Sequence, residues 1–253
     1  TISACEKGEQ WHHACGLLAE MQDEGLEPTV IAYNAAISAC EKSGQWEWAL
    51  SLLAVMQAQI VVPDVVSYNA LTSAFEKGKQ WGRALAMLTE MRERELEQDV
   101  ISYDAAISAC AKGKQWERAL WMLAEMRDQD LAPNVISYNS AISACEKGEQ
   151  WQRALGVWVA MQKQGVKPTV ISYNAIISAC EKGEQWERAL GILATMRMQN
   201  LETTLISYNA VISACEKGRQ WERALAVLFG MREQILEPDH FSHNAAISAC
   251  EKG

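Results

Sequence analysis

Proline and glycine are sparse in this 253-residue chain, at 5 and 15 residues, too few for a collagen-like or linker-dominated polypeptide. No stretch approaches the roughly 20 uninterrupted apolar residues that a membrane-spanning helix needs. Histidine is rarer still, with 4 residues (His12, His13, His240 and His243) confined to the two ends. A basic surplus is also missing. The 23 Lys and Arg against 32 Asp and Glu leave a net charge of −9, which argues against gripping nucleic acid by bulk charge alone. The chain does not start with Met and shows no signal or transit pattern there. Because the run Ile2-Ser3-Ala4-Cys5 recurs deep inside, both ends are expected to be cuts through a longer polypeptide. What is present is ordinary for a folded protein: 49% hydrophobic and 22% charged residues.

The order of those residues is not ordinary. All 6 tyrosines, from Tyr33 to Tyr208, are spaced by 35, and seven tryptophans from Trp11 to Trp221 keep the same step. The 5 prolines (Pro28, Pro63, Pro133, Pro168, Pro238) share one position of the unit. A fixed period of this size is the mark of a repeat architecture. With Val30 as position 1, the chain reads as units 30–64, 65–99, 100–134, 135–169, 170–204 and 205–239, with partial units 1–29 and 240–253. No linker or composition shift interrupts them, so one array is expected.

Each unit predicts two short helices. In 170–204, Tyr173, Ile177 and Cys180 form one apolar stripe at helical spacing, and Trp186, Ala189, Leu190, Leu193 and Met196 form a second. Gly183-Glu184-Gln185 breaks the pattern between them. The position-34 proline is expected to close the second helix. Helices of about 12 residues are too short to be stable alone. Units must therefore stack, which gives an all-α, right-handed α-solenoid of helix-turn-helix repeats.

Several series read as packing. Cys5, Cys40, Cys110, Cys145, Cys180, Cys215 and Cys250 share position 11, and Phe75 takes that slot once. One cysteine per unit cannot build a CxxC-type zinc site, and a slot that accepts Phe is apolar, so buried reduced thiols are expected. The position-27 methionines, such as Met126 and Met196, read as core filler. The position-17 tryptophans are expected at the inter-helix turn, packed between units.

Four series do not read as packing. Position 5 carries Asn34, Asn69, Asp104, Asn139, Asn174, Asn209 and Asn244. The unit ends with Thr29, Asp64, Asp99, Asn134, Thr169, Thr204 or Asp239. Position 13 carries Lys7, Lys42, Lys77, Lys112, Lys147, Lys182, Lys217 and Lys252, and position 2 carries Ile31, Val66, Ile101, Ile136, Ile171, Ile206 and Phe241.

At these residues the chain resembles the pentatricopeptide repeat family, in its P-type form. The likeness runs over nearly the whole chain: units of 35 open V-I-S-Y-N, carry A-L and M-R, and close on L-x-P-D. The resemblance implies single-stranded RNA binding at one base per repeat, with the array running parallel to the strand. It makes position 5 and the unit-end residue the base readers, position 2 the side chains that sandwich the base, and Lys42, Lys77, Lys112, Lys147, Lys182 and Lys217 phosphate contacts. A carboxamide both donates and accepts, which suits a Watson–Crick edge.

On that basis Asn34 with Asp64, Asn69 with Asp99, and Asn209 with Asp239 resemble uridine readers. Asn139 with Thr169 and Asn174 with Thr204 imply a pyrimidine, Asp104 with Asn134 stays unassigned, and Asn244 suggests a further pyrimidine. The implied word is 5′-UUNYYU-3′. The family setting implies a mitochondrion or plastid and a role in RNA stabilisation, processing, splicing or translation. No catalytic residues, metal ligands or cofactor are expected, and the histidines read as repeat drift. The acidic balance supports an alternative, a structural subunit whose partners are proteins of an organellar complex. Position-5 Asn at a helix start also has a bland reading, as a helix-capping residue.

Overall fold

The computed structural model describes residues 2, 8 and 10–253; Cys5 and Lys7 lie outside the described residues. It comprises two compact units, Thr1–Ala132 and Pro133–Gly253. Unit 1 contains α1 (Trp11–Asp23), α2 (Val30–Lys42), α3 (Trp46–Ala58), α4 (Val65–Lys77), α5 (Trp81–Glu93), α6 (Val100–Lys112) and α7 (Trp116–Asp128). Unit 2 contains α8 (Val135–Lys147), α9 (Trp151–Lys163), α10 (Val170–Lys182), α11 (Trp186–Met198), α12 (Leu205–Lys217), α13 (Trp221–Glu233) and α14 (His240–Lys252). Each helix has 13 residues, and no strand occurs among the described residues. The expected all-α solenoid stacking is found within each unit. First helices of successive repeats pack on one another (α2 on α4 on α6; α8 on α10 on α12 on α14), and within each unit the second helices α3, α5, α9, α11 and α13 pack on their own first helix and on the next one, while α1 packs on α2 and α7 on α6.

The apolar stripes are mostly buried, with Trp186 and Leu190 half-buried at the edge of the second. Tyr173, Ile177, Cys180, Ala189, Leu193 and Met196 are all buried, and Phe75 fills the cysteine slot with no exposure. None of these helices could stand alone; the burial between neighbours holds them.

The helix ends correct one expectation. Each helix from α1 to α13 stops in a Schellman turn, in which a residue with positive φ follows the helix cap. After α4, Lys79 has φ 57°, and its N–H and that of Gln80 return to the carbonyls of Glu76 (3.1 Å) and Phe75 (2.8 Å). The second helices end the same way: after α7, Asp130 has φ 57° and the Leu131 N–H reaches the Met126 carbonyl at 2.8 Å. The helix is already over when the chain arrives at Pro133, so proline is not its terminator. It sits one residue before the cap of the next helix.

In the turn between the two helices of a repeat, the positive φ falls on a glycine only at Gly44 among the described residues. Gly183 has φ −86°, and Glu184 beside it takes the left-handed conformation at 56°. Gly183 is needed because Trp151 of the preceding repeat lies against it: a Cβ there would meet Trp151 Cδ1 at well under 3.0 Å. Gly78 faces Trp46, Gly113 faces Trp81 and Gly218 faces Trp186 in the same way. On the tryptophan rings rest the guanidinium groups of Arg83 (over Trp46, 4.8 Å), Arg118 (over Trp81, 4.7 Å) and Arg188 (over Trp151, 5.2 Å). The position-17 series therefore packs between repeats.

Candidate nucleic-acid interface

The unit-end residue is the N-cap of the following helix. Asp64 caps α4, Asp99 caps α6, Asn134 caps α8, Thr169 caps α10, Thr204 caps α12 and Asp239 caps α14. Asp, Asn and Thr are favoured caps because a short side-chain oxygen takes a free N–H of the first turn. Capping thus accounts for which residue types stand there. It removes capping as the role of position 5, which lies inside the helix one turn on.

The two series nevertheless meet. The Asn34 amide donates to Asp64 Oδ1 at 3.0 Å. Asn69 donates to both Asp99 oxygens at 3.1 and 3.3 Å, and Asn209 to both Asp239 oxygens at 3.3 and 3.4 Å. Asn174 reaches Thr204 Oγ1 at 3.5 Å, while no hydrogen bond joins Asn139 to Thr169 among the described residues. Asp104, buried in α6, and Asn134 fall in different compact units; Asn134 Oδ1 accepts from the Ile136 and Ser137 N–H groups at 2.6 and 3.2 Å. Asn244 is exposed on α14.

A third side chain completes each cluster and was missed in the sequence. The position-3 serine of the following repeat donates to the asparagine oxygen: Ser67 to Asn34 (2.5 Å), and Ser102 to Asn69, Ser172 to Asn139, Ser207 to Asn174 and Ser242 to Asn209, each at 2.6 Å. These serines are fully buried and also accept the cap's own N–H, as from Asp64 (3.2 Å) and Asp99 (3.3 Å). With its oxygen held by serine and its NH2 aimed at the cap, the carboxamide has one orientation. One N–H and one oxygen lone pair stay open to a ligand. The S of V-I-S-Y-N, replaced by Ala32 in the first complete unit, was the available signal.

Two aspartate caps, Asp64 and Asp239, are held toward the charged form. Burial opposes ionisation of Asp64, but the Ser67 N–H, the Asn34 amide and the Ser67 hydroxyl outweigh it and hold the carboxyl below its usual value. At Asp239 the Ser242 N–H is the main cause of the same lowering.

Beside each cluster stand the position-2 side chains, one turn before the position-5 residue on the same helix face. All seven are exposed, from 56% at Phe241 to 75% at Ile31. The Asn69 cluster is thus flanked by Val66 on α4 and Ile101 on α6.

Five of the position-13 lysines are not free cations. Lys77 pairs with Glu41 (2.7 Å), Lys112 with Glu76 (2.9 Å), Lys182 with Glu146 (2.6 Å), Lys217 with Glu181 (3.0 Å) and Lys252 with Glu216 (2.7 Å), each carboxylate belonging to the preceding repeat. The same glutamates accept from serines, as Glu76 does from Ser108 at 2.7 Å. Position 12 carries Ala111 instead of Glu once, and Lys147 has no ion pair among the described residues. His12 and His13 are exposed on α1, and no cluster of three His, Cys, Asp or Glu suited to a metal ion is found among the described residues.

Comparison with known proteins decides the family. The profile described as pentatricopeptide repeat domain matches residues 12–78 and 86–148, and those described as PPR repeat family and PPR repeat match residues 133–182 and 168–215, and 66–96 and 206–234. The chain belongs to the pentatricopeptide repeat family. Among solved structures, the pentatricopeptide repeat protein PPR10 from maize is 26% identical with a TM-score of 0.76, over 99% of this chain and 36% of that one. PPR10 in complex with an 18-nt psaJ RNA element is 23% identical with a TM-score of 0.61, over 98% of this chain and 40% of that one. The PPR domain of Arabidopsis thaliana protein-only RNase P 1 in complex with tRNA shares 15% identity and a TM-score of 0.61, over 70% of this chain and 94% of that domain. The pentatricopeptide chain described here thus spans about a third of the maize protein's length. No curated protein matches the sequence. No described helix is long and apolar enough to cross a membrane.

Proposed function

We propose that this pentatricopeptide array reads single-stranded RNA, one base per repeat, with the position-5 residue and the following cap as readers. The observation that carries this reading is the repeated cluster itself. An asparagine oriented by a buried serine and a cap, with open hydrogen-bonding capacity, stands between exposed apolar side chains that can stack on a base. Capping alone requires neither the oriented carboxamide nor the exposed Ile and Val beside it. The word proposed is 5′-UUNYYU-3′ with a further pyrimidine at Asn244. The array itself is proposed to bind rather than catalyse, and to act by occupancy: a bound strand is shielded from nucleases or kept from pairing. The proposed setting is a mitochondrion or plastid, in RNA stabilisation, processing, splicing or translation.

The lysine–glutamate pairs favour one second reading, a protein-binding subunit of an organellar complex, because most position-13 cations are already matched. Fluorescence anisotropy of the chain with 5′-UUUCCUC-3′ and with an all-purine RNA of equal length, across a salt series, separates the two. Pyrimidine preference supports RNA reading; no binding to either RNA at low salt overturns it and favours a protein partner.

A further inference from the structure

We infer that Cys15 and Cys40 are a site of reversible disulfide formation that ties α1 to α2. Their Sγ atoms lie 4.0 Å apart across the α1–α2 contact, and both are free thiols. A disulfide needs about 2.0 Å between sulfurs and an approach of neighbouring Cβ atoms, so the sulfurs must close by roughly 2 Å, within reach of side-chain rotation. Cys40 belongs to the position-11 series. Cys15 is the one cysteine outside it and stands at position 21, where Leu50, Leu85, Leu120, Leu155, Leu190 and Leu225 stand elsewhere. The equivalent pairs, such as Leu85 with Cys110 or Leu190 with Cys215, hold only one thiol. This is therefore the single place where the repeat pattern brings two thiols together among the described residues.

The two sulfurs divide the chemistry. Cys15 is half-buried and open to a small reagent, whereas Cys40 is fully buried. The contact with Cys40 holds the Cys15 thiol below its ordinary value, and the contact with Cys15, followed by burial, pushes Cys40 up. Cys15 is thus the thiolate that meets an oxidant. With hydrogen peroxide, the Cys15 sulfur takes one oxygen, giving a sulfenic acid and hydroxide. The Cys40 sulfur then attacks the Cys15 sulfur, and the leaving hydroxide departs as water with the Cys40 proton. Two thiols and one peroxide yield one disulfide and two waters, and a dithiol reductant reverses the change. Burial pushes the thiols of Cys110, Cys145, Cys180 and Cys215 up to about 11, which keeps them out of this reaction.

The test treats the whole chain with hydrogen peroxide, then alkylates it unfolded and maps it without reductant. The free-thiol count is expected to fall from the 8 of the sequence to six, with one linked peptide pair containing Cys15 and Cys40. Amide exchange in α1 and α2 is expected to slow. Cys15→Leu, which installs the residue of the other repeats and leaves Cys40 packed, is expected to retain all seven of its thiols and show no slowing. Over-oxidation of Cys15 with Cys40 left free, a disulfide between two chains, or a link to Cys5 would overturn the inference.

Discussion

Replacing Gly183 by alanine separates two physical explanations by the sign of the effect. Gly183 has an ordinary φ of −86°. If chain flexibility alone mattered, Gly183→Ala would stabilise the fold by about 0.4–1 kcal/mol through a less mobile unfolded chain. The packing argues the reverse. The new methyl would be driven into Trp151, whose other contacts include Arg188 over its ring at 5.2 Å. The indole cannot move without giving up that contact, so overpacking of about 1–3 kcal/mol is expected. Glu184→Gly is the matched control: its left-handed φ of 56° costs a non-glycine residue roughly 1 kcal/mol, so the change is expected to stabilise. Urea unfolding followed by circular dichroism measures both, with the midpoint as readout. A neutral or stabilising Gly183→Ala would refute the tryptophan–glycine account.

Removing the Ser102 hydroxyl with Ser102→Ala takes a donor from Asn69 and an acceptor from the Asp99 N–H. A loss of about 1–3 kcal/mol by thermal unfolding is expected, with weaker RNA binding through a carboxamide free to turn. Burial raises the Cys110 and Cys180 thiols to about 11 from an ordinary 9.0. Between those values the unfolded chain loses protons that the folded chain keeps, so stability is full below pH 9 and falls as pH rises toward 11. Unfolding midpoints at stepped pH, compared with a Cys110→Ala, Cys180→Ala variant that loses part of this dependence, check it. Glu146→Gln releases Lys182 from its ion pair while keeping an acceptor for Ser178. RNA affinity is expected to rise, and the slope of log K against log salt to steepen by roughly 0.7, measured by a salt titration.

The fold was legible because its signals are local and repeated. The unbroken spacing of Tyr and Trp, with Cys broken only by Phe75, marked the stacking, and the stripe at Tyr173, Ile177 and Cys180 marked the buried face. Helix ends were less legible. Proline and glycine are the usual breakers, but here Schellman turns end the helices at non-glycine residues such as Lys79 and Glu184, and no local signal shows that Trp151 lies over Gly183. The reading series were visible as residue types. Their geometry was not, since Asn69, Asp99 and Ser102 meet only when two helices are stacked, and Lys112 finds Glu76 across 36 residues.

The central claim is that each repeat addresses one base, and a register test addresses it most directly. Asn69→Ala and Asn174→Ala are each titrated against 5′-UUUCCUC-3′ and against its variants with a purine at the second or the fifth base. Asn69→Ala is expected to weaken binding about 2- to 12-fold, the worth of one hydrogen bond, and to erase discrimination at the second base alone. Asn174→Ala is expected to do the same at the fifth. Uniform weakening with discrimination intact at both bases would contradict one base per repeat.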